Sequence, residues 1–173
     1  MIAITGHTDG LGLGIFQRYA GNAIGFSRRT GYDIASNQDR ARIVEEARHC
    51  DVFINNAYAD FSQIDLLYAM HDTWTNTDKL IINISSNSGD GIKNHAHRYA
   101  ICKSALDKAS EQLSRLPNAC RITNLRPGYI DTPRVSHVTN SAKVSISSMV
   151  DMIDMIINST AEYVIPCITI LPR

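Results

Sequence analysis

The sequence predicts an α/β fold, a doubly wound parallel sheet formed as a single domain over residues 1–173, and three observations predict it. Short apolar runs alternate with stretches of helical spacing along the whole length, the pattern of a parallel sheet covered on both faces. A glycine cluster, Gly6, Gly10 and Gly12, stands where the first apolar run gives way to the first helical stretch. No repeat, low-complexity tract or linker divides the chain, so the runs belong to one unit.

Taken in order, Met1-Ile2-Ala3-Ile4 opens a buried strand over 1–5, and Leu11 to Ala20 reads as the helix after it. A second strand covers 22–27. Between Ser27 and Asp33 there is no room for a crossover helix, because parallel neighbours need about a dozen residues between them. The next helix is therefore 37–49, followed by a strand over 51–56. Helix 61–75, strand 79–85, helix 98–116 and strand 120–125 follow. A helix over 145–158, with Met149, Met152, Ile153 and Ile156 on one stripe, precedes a last strand over 163–170. Right-handed crossovers then place ligands at the carboxyl ends of the strands.

Composition narrows the function classes. Lys plus Arg and Asp plus Glu both number 17, so no global field favours nucleic acid or an anionic membrane, and any anion site must be local. No basic leader precedes the first strand and no apolar run approaches roughly 18 residues, so a cytoplasmic protein is expected. Cys50, Cys102, Cys120 and Cys167 stand far apart without a C-x-x-C pair, which predicts reduced thiols and argues against zinc. His95-Ala96-His97 lacks further ligands nearby, so no metal is expected.

The chemistry sits in four segments. Thr5-Gly6-His7-Thr8-Asp9-Gly10-Leu11-Gly12 joins a strand to a helix whose first turn offers unpaired N–H groups and a positive dipole end, the setting for a pyrophosphate. At the end of the second strand, Ser27-Arg28-Arg29 presents cations where a carboxylate would select plain ribose, so NADP(H) is preferred, with NAD(H) as the other possibility. A solvated turn is the plainer reading of those arginines. Ser86 ends a later apolar run, Tyr99 follows it by thirteen residues, and Lys103 follows Tyr99 by four, one helical turn.

The spacing T-G-x-x-x-G-x-G, the order Ser86, Tyr99 and Lys103, and the segments Asn55-Asn56-Ala57 and Pro127-Gly128 together resemble the short-chain dehydrogenase/reductase family. The resemblance implies a compact Rossmann-type fold and an NADP(H)-dependent interconversion of a small carbonyl compound and its alcohol. Tyr99 would be the acid–base residue, Lys103 would lower its pKa and hold ribose hydroxyls, and Ser86 would stabilise the substrate oxygen. Gly6, His7, Thr8, Gly10, Leu11 and Gly12 would bind phosphates; Asp33 and Ile34 the adenine; Asn56 and Ala57 the adenosine ribose; and Pro127, Gly128, Ile130 and Thr132 the nicotinamide end.

Against that pattern the chain is shortened after Ser27, between Ala57 and Ser86, and at Arg173. Tyr58 stands where the family has glycine, and Asp9 where NADP-dependent relatives carry a basic residue, which His7 would offset. The family's fourth catalytic residue, an asparagine on the helix before Ser86, is absent; Ser62, Gln63 or water would replace it. Ser85 competes with Ser86 on the opposite strand face. The polar stretch 129–144, with Arg134 and His137, favours a small or polar substrate. Sugar-nucleotide epimerases share the Ser, Tyr and Lys but need a further domain. The rival reading is a dinucleotide-binding sensor or scaffold with little turnover. Ile64, Leu67 and Tyr68 form one stripe on the 61–75 helix and Leu66, Ala69, Met70 and Trp74 a second, so a homodimer or homotetramer is expected.

Overall fold

Alternate residues of each short apolar strand face opposite layers, and this alternation builds the fold. The structure, a computed structural model, describes residues 1–159 and 163–173. Its main elements are β1 (Ile2–Thr5), α1 (Gly10–Arg18), β2 (Ala23–Phe26), α2 (Asn37–Ala47), β3 (Val52–Asn55) and α3 (Ser62–Trp74). They continue with β4 (Leu80–Ile84), α4 (Arg98–Leu113), β5 (Arg121–Pro127), α5 (Ile146–Ile157) and β6 (Cys167–Ile170). The strands form one parallel sheet in the order β2-β1-β3-β4-β5-β6.

On one face Ala3, Phe53, Ile81 and Ile122 pack with Ile43 of α2, Leu66, Met70 and Trp74 of α3, and Leu106 of α4. On the other, Ile4, Ile54, Ile82 and Leu125 pack with Ile15 of α1 and Met149 and Ile153 of α5. This is the doubly wound α/β sheet expected from the sequence. The short connection after β2 holds only a 3-10 turn, Arg28–Thr30, before α2 crosses β1 to reach β3. β2 is therefore a sheet edge, as the missing crossover required.

Element ends differ by a few residues, each for a local reason. α1 begins at Gly10 because Asp9 caps it, its carboxylate accepting from Gly10 N at 2.7 Å. The last strand begins at Cys167 rather than 163. Pro166 immediately before it has no N–H, but its carbonyl accepts from Asn124 N at 2.9 Å and so starts the pairing with β5. Asn55, Asn83 and Asn124 are in register across β3, β4 and β5.

Candidate active site

The carboxyl ends of β1, β3, β4 and β5 gather the predicted residues around the start of α4. Gly6 has φ +74, and a Cβ there would lie 2.9 Å from Asn56 Nδ2. A Cβ on Gly12 would lie 2.1 Å from the Gly6 carbonyl, so the loop folds back on its own helix only with glycine in that place. The buried Thr5 hydroxyl accepts from Asn56 N and Ala57 N, both at 3.0 Å, and Asn56 Nδ2 donates to Thr5 O at 2.9 Å. Asn56 and Ala57 thus brace the loop from β3. The motif already included Thr5, but its role in bracing the loop from β3 was not read from the sequence.

The loop narrows the phosphate site in two ways. The Asp9 carboxylate takes the Gly10 N–H, which leaves Leu11 and Gly12 as first-turn donors. His7 is buried, its ring 4.8 Å from that of Phe16 and pressed on Gly25, so its side chain packs the core rather than offsetting Asp9. That corrects the expected His7 role. Arg29 Nη1 donates to Thr8 O at 3.4 Å, which puts Arg29 at the loop, while Arg28 is exposed beside it. Ser27 closes the same turn by a reciprocal capping box with Thr30. Asp33 caps its own turn, accepting from Ala35 N at 3.0 Å, and the Ile34 side chain is buried with the core.

From the other side, Thr132 approaches the glycine loop: a Cβ on Gly10 would lie 3.3 Å from Thr132 Cγ2. Gly128 N donates to Ile170 O at 2.8 Å, following Pro127 at the end of β5. Ile130 pairs with Val144 in an isolated bridge, with Asp131 N on Val144 O at 2.8 Å, so the stretch between is tied at both ends. The segment expected to hold the pyrophosphate and the segment expected to hold the nicotinamide end therefore meet over the start of α1. Glycines placed for close backbone approach, with first-turn N–H donors beside them, fit a pyrophosphate.

The catalytic candidates come together. Ser86 Oγ accepts from Ser88 N at 3.1 Å at the end of β4, and the Tyr99 ring centroid lies 5.5 Å from Lys103 Nζ. Ser85 points the other way and donates to Asp107 Oδ1. Burial raises the Tyr99 phenol above its ordinary value, against smaller opposing effects from Ser86 and Arg134. In the protein alone, then, burial outweighs the expected lowering.

Lys103 is only 3% exposed, and its ammonium donates to Gln63 Oε1 at 2.8 Å and Ile84 O at 2.7 Å. Burial pulls its pKa down to about 7; Asp107 pushes it back up, and Arg134 adds to the fall. Gln63, itself buried, holds its amide by donating to Asn55 O at 2.5 Å and Ile84 O at 3.1 Å. Of the two side chains open to replace the absent asparagine, Ser62 and Gln63, Gln63 is the one that meets Lys103.

Behind these residues lies a polar chain that the sequence reading missed. Asn55 Nδ2 donates to Asn83 Oδ1 at 2.9 Å, Asn83 Nδ2 to Ser110 Oγ at 3.0 Å, and Ser110 Oγ to Asn124 Oδ1 at 3.1 Å. Asn124 Nδ2 then donates to Asp107 Oδ1 at 2.7 Å, and Arg126 Nε lies 2.9 Å from Asp107 Oδ2. One asparagine in each of three buried apolar strands was the visible signal.

No sequence-family model matches the chain, and no curated protein matches it in sequence. Solved structures do match in shape. A short-chain dehydrogenase from Burkholderia cenocepacia in complex with NADP superposes with a TM-score of 0.76 at 17% identity, covering 99% of this chain and 87% of that one. A 4-hydroxyisoleucine dehydrogenase complexed with NADH gives 0.81 at 14% identity over 99% and 96%. A short-chain dehydrogenase/reductase from Brucella melitensis, described as glucose/ribitol dehydrogenase, gives 0.78 at 19% over 98% and 93%. The chain has the fold of these short-chain dehydrogenases over nearly its whole length.

Proposed function

We propose that this protein is an NADP(H)-dependent oxidoreductase that interconverts a small carbonyl compound and its alcohol, with Tyr99 as the acid–base residue. The observation that carries the reading is the meeting of Ser86, Tyr99 and Lys103 at the strand ends beside the glycine loop. A nicotinamide dinucleotide, when bound, supplies or accepts the hydride. The Leu11 and Gly12 N–H groups and Arg29 then hold phosphate charge, and Thr132 with the Pro127–Ile130 segment covers the nicotinamide end. Ser86 donates to the substrate oxygen, stabilising the charge that forms there. The Tyr99 phenol carries the proton that carbonyl reduction consumes; burial raises its pKa in the protein alone, and the positive charges of Lys103 and of the oxidised nicotinamide formed in the reaction favour its release. Lys103, oriented by Gln63, places its remaining donor toward a ribose hydroxyl. A cytoplasmic protein that pairs with itself belongs to the same reading.

Two observations favour the second reading, a dinucleotide-binding sensor with little turnover: the Asp9 carboxylate on the first N–H of α1, and Tyr58 beside Lys103. NADPH oxidation measured against a panel of small aldehydes, ketones and quinones separates the two. Turnover with one class, lost in Tyr99→Phe while NADPH binding persists, is the expected result. Binding without turnover across the panel would leave the sensor, and a Tyr99→Phe variant with near-normal kcat would remove Tyr99 from its role.

A further inference from the structure

Lys103 is closed off on every side. Two of its three donors go to Gln63 and Ile84. The remaining side is roofed by two aromatic rings, Tyr58 with its centroid 5.4 Å from Nζ and Tyr99 at 5.5 Å. The rings meet edge to face at 4.9 Å, so both stand on the side of the ammonium that Gln63 and Ile84 leave free. Whatever reaches the ammonium must displace one of them.

The two rings are held very differently. Tyr99 projects from the first turn of α4. Tyr58 belongs to no helix or strand; it follows β3 in the irregular stretch before α3 and is partly exposed. Its hydroxyl donates to Asp60 Oδ1 at 3.2 Å. Asp60 has φ +45, an uncommon conformation for a residue with a side chain, and its same oxygen lies 3.0 Å from Arg98 Nε at the start of α4. Tyr58, Asp60 and Arg98 thus form a clasp across the mouth of the site, built on a solvent-exposed ion pair of the kind that gives way easily.

We propose that Tyr58 is a positioning residue that acts as a gate over Lys103, swinging aside with the Asp60–Arg98 clasp to let a ribose hydroxyl reach the ammonium. This rests on the dinucleotide reading above. Tyr58 acts through Lys103 and not on the reacting carbonyl. A site that is competent only while the gate is open binds its ligand more weakly in proportion to the open fraction, so removing the gate tightens binding.

Two measurements on the intact protein test it. The first is reductive methylation by formaldehyde and dimethylamine-borane, with Lys103 modification followed by peptide mass spectrometry. The second is NADPH affinity by fluorescence titration. Tyr58→Gly should quicken Lys103 labelling at least about ten-fold and tighten NADPH about ten-fold, the size expected when roughly a tenth of molecules are open. Tyr58→Phe and Asp60→Asn, which keep the ring and loosen only the clasp, should move both readouts the same way by less. They also serve if Tyr58→Gly fails to fold. Labelling no faster than in the wild type overturns the gate alone, as does faster labelling with unchanged or weaker NADPH binding. If neither wild type nor variant binds NADPH or NADH, the gate falls together with the function it serves.

Discussion

Lys103 gives up nearly all of its hydration, and Gln63 and Ile84 return two hydrogen bonds in exchange. Burial still dominates, since its pKa falls from 10.5 to about 7. The sign of the resulting pH dependence follows directly. The folded protein releases this proton near pH 7, while the unfolded chain holds it to its ordinary value, so between the two the unfolded state binds more protons. Stability from this group therefore rises with pH across that window, by at most about 1.4 kcal/mol per pH unit. Lys103→Met removes the titration but not the neighbouring groups. In urea melts at several pH values, wild type should gain stability relative to Lys103→Met as pH rises above 7. Parallel curves would mean that Lys103 keeps an ordinary pKa. At this scale the sequence was most informative where chemistry fixes spacing, as at Ser86, Tyr99 and Lys103. It was least informative where a side chain's direction decides its role: His7 and Arg29 share polar loops, yet one packs against Phe16 and the other reaches Thr8.

The proposed preference for NADP(H) rests on the turn that replaces a whole crossover after β2. Its arginines are carried on a 3-10 helix closed by Ser27 and Thr30, which aims Arg29 back at the glycine loop. Arg28, the residue favoured by position in the sequence, stands free of that contact and open to a 2′-phosphate beyond the loop. Losing a charge-assisted contact to a phosphate costs about 1.5–3 kcal/mol, one to two powers of ten in affinity. Arg28→Ala and Arg29→Ala should each weaken NADPH and leave NADH largely unaffected in parallel titrations. Unchanged NADPH affinity in both variants would take the preference away from this turn. Main elements such as α5 and β4 were legible because helical and strand periodicities expose their buried faces. The start of β6 and the 3-10 turns among the described residues were not, since single residues such as Pro166 and Thr30 decide them and leave no periodic trace.

For the molecule as a whole, the open question is how much apolar surface the fold leaves outside. The breadth of apolar surface on α3 argued from sequence for a second buried side. In the structure Leu66, Leu67, Met70 and Trp74 are all buried within the chain, against the sheet and the neighbouring helices. What remains on the outer faces of α3 and α4 is Phe61 at 45% exposure, Tyr68 at 40% and Ile101 at 63%, among polar residues such as Asp65, Ser104 and Lys108. These three are the apolar anchors available to an isologous contact, in which each would meet the same face of a second copy. In the family the sequence resembles, this pair of helices forms such a four-helix contact. We therefore expect a homodimer or homotetramer through α3 and α4, with a rim that is polar and an affinity set by few residues. Light scattering at micromolar concentration should give twice or four times the 19.2 kDa of one chain. Ile101→Arg, exposed and away from the core, should return the mass to a single chain without lowering the melting temperature of the isolated fold. A wild-type mass of 19.2 kDa would mean that α3 completes its burial within one chain, and that the exposed Tyr68 and Ile101 carry no partner.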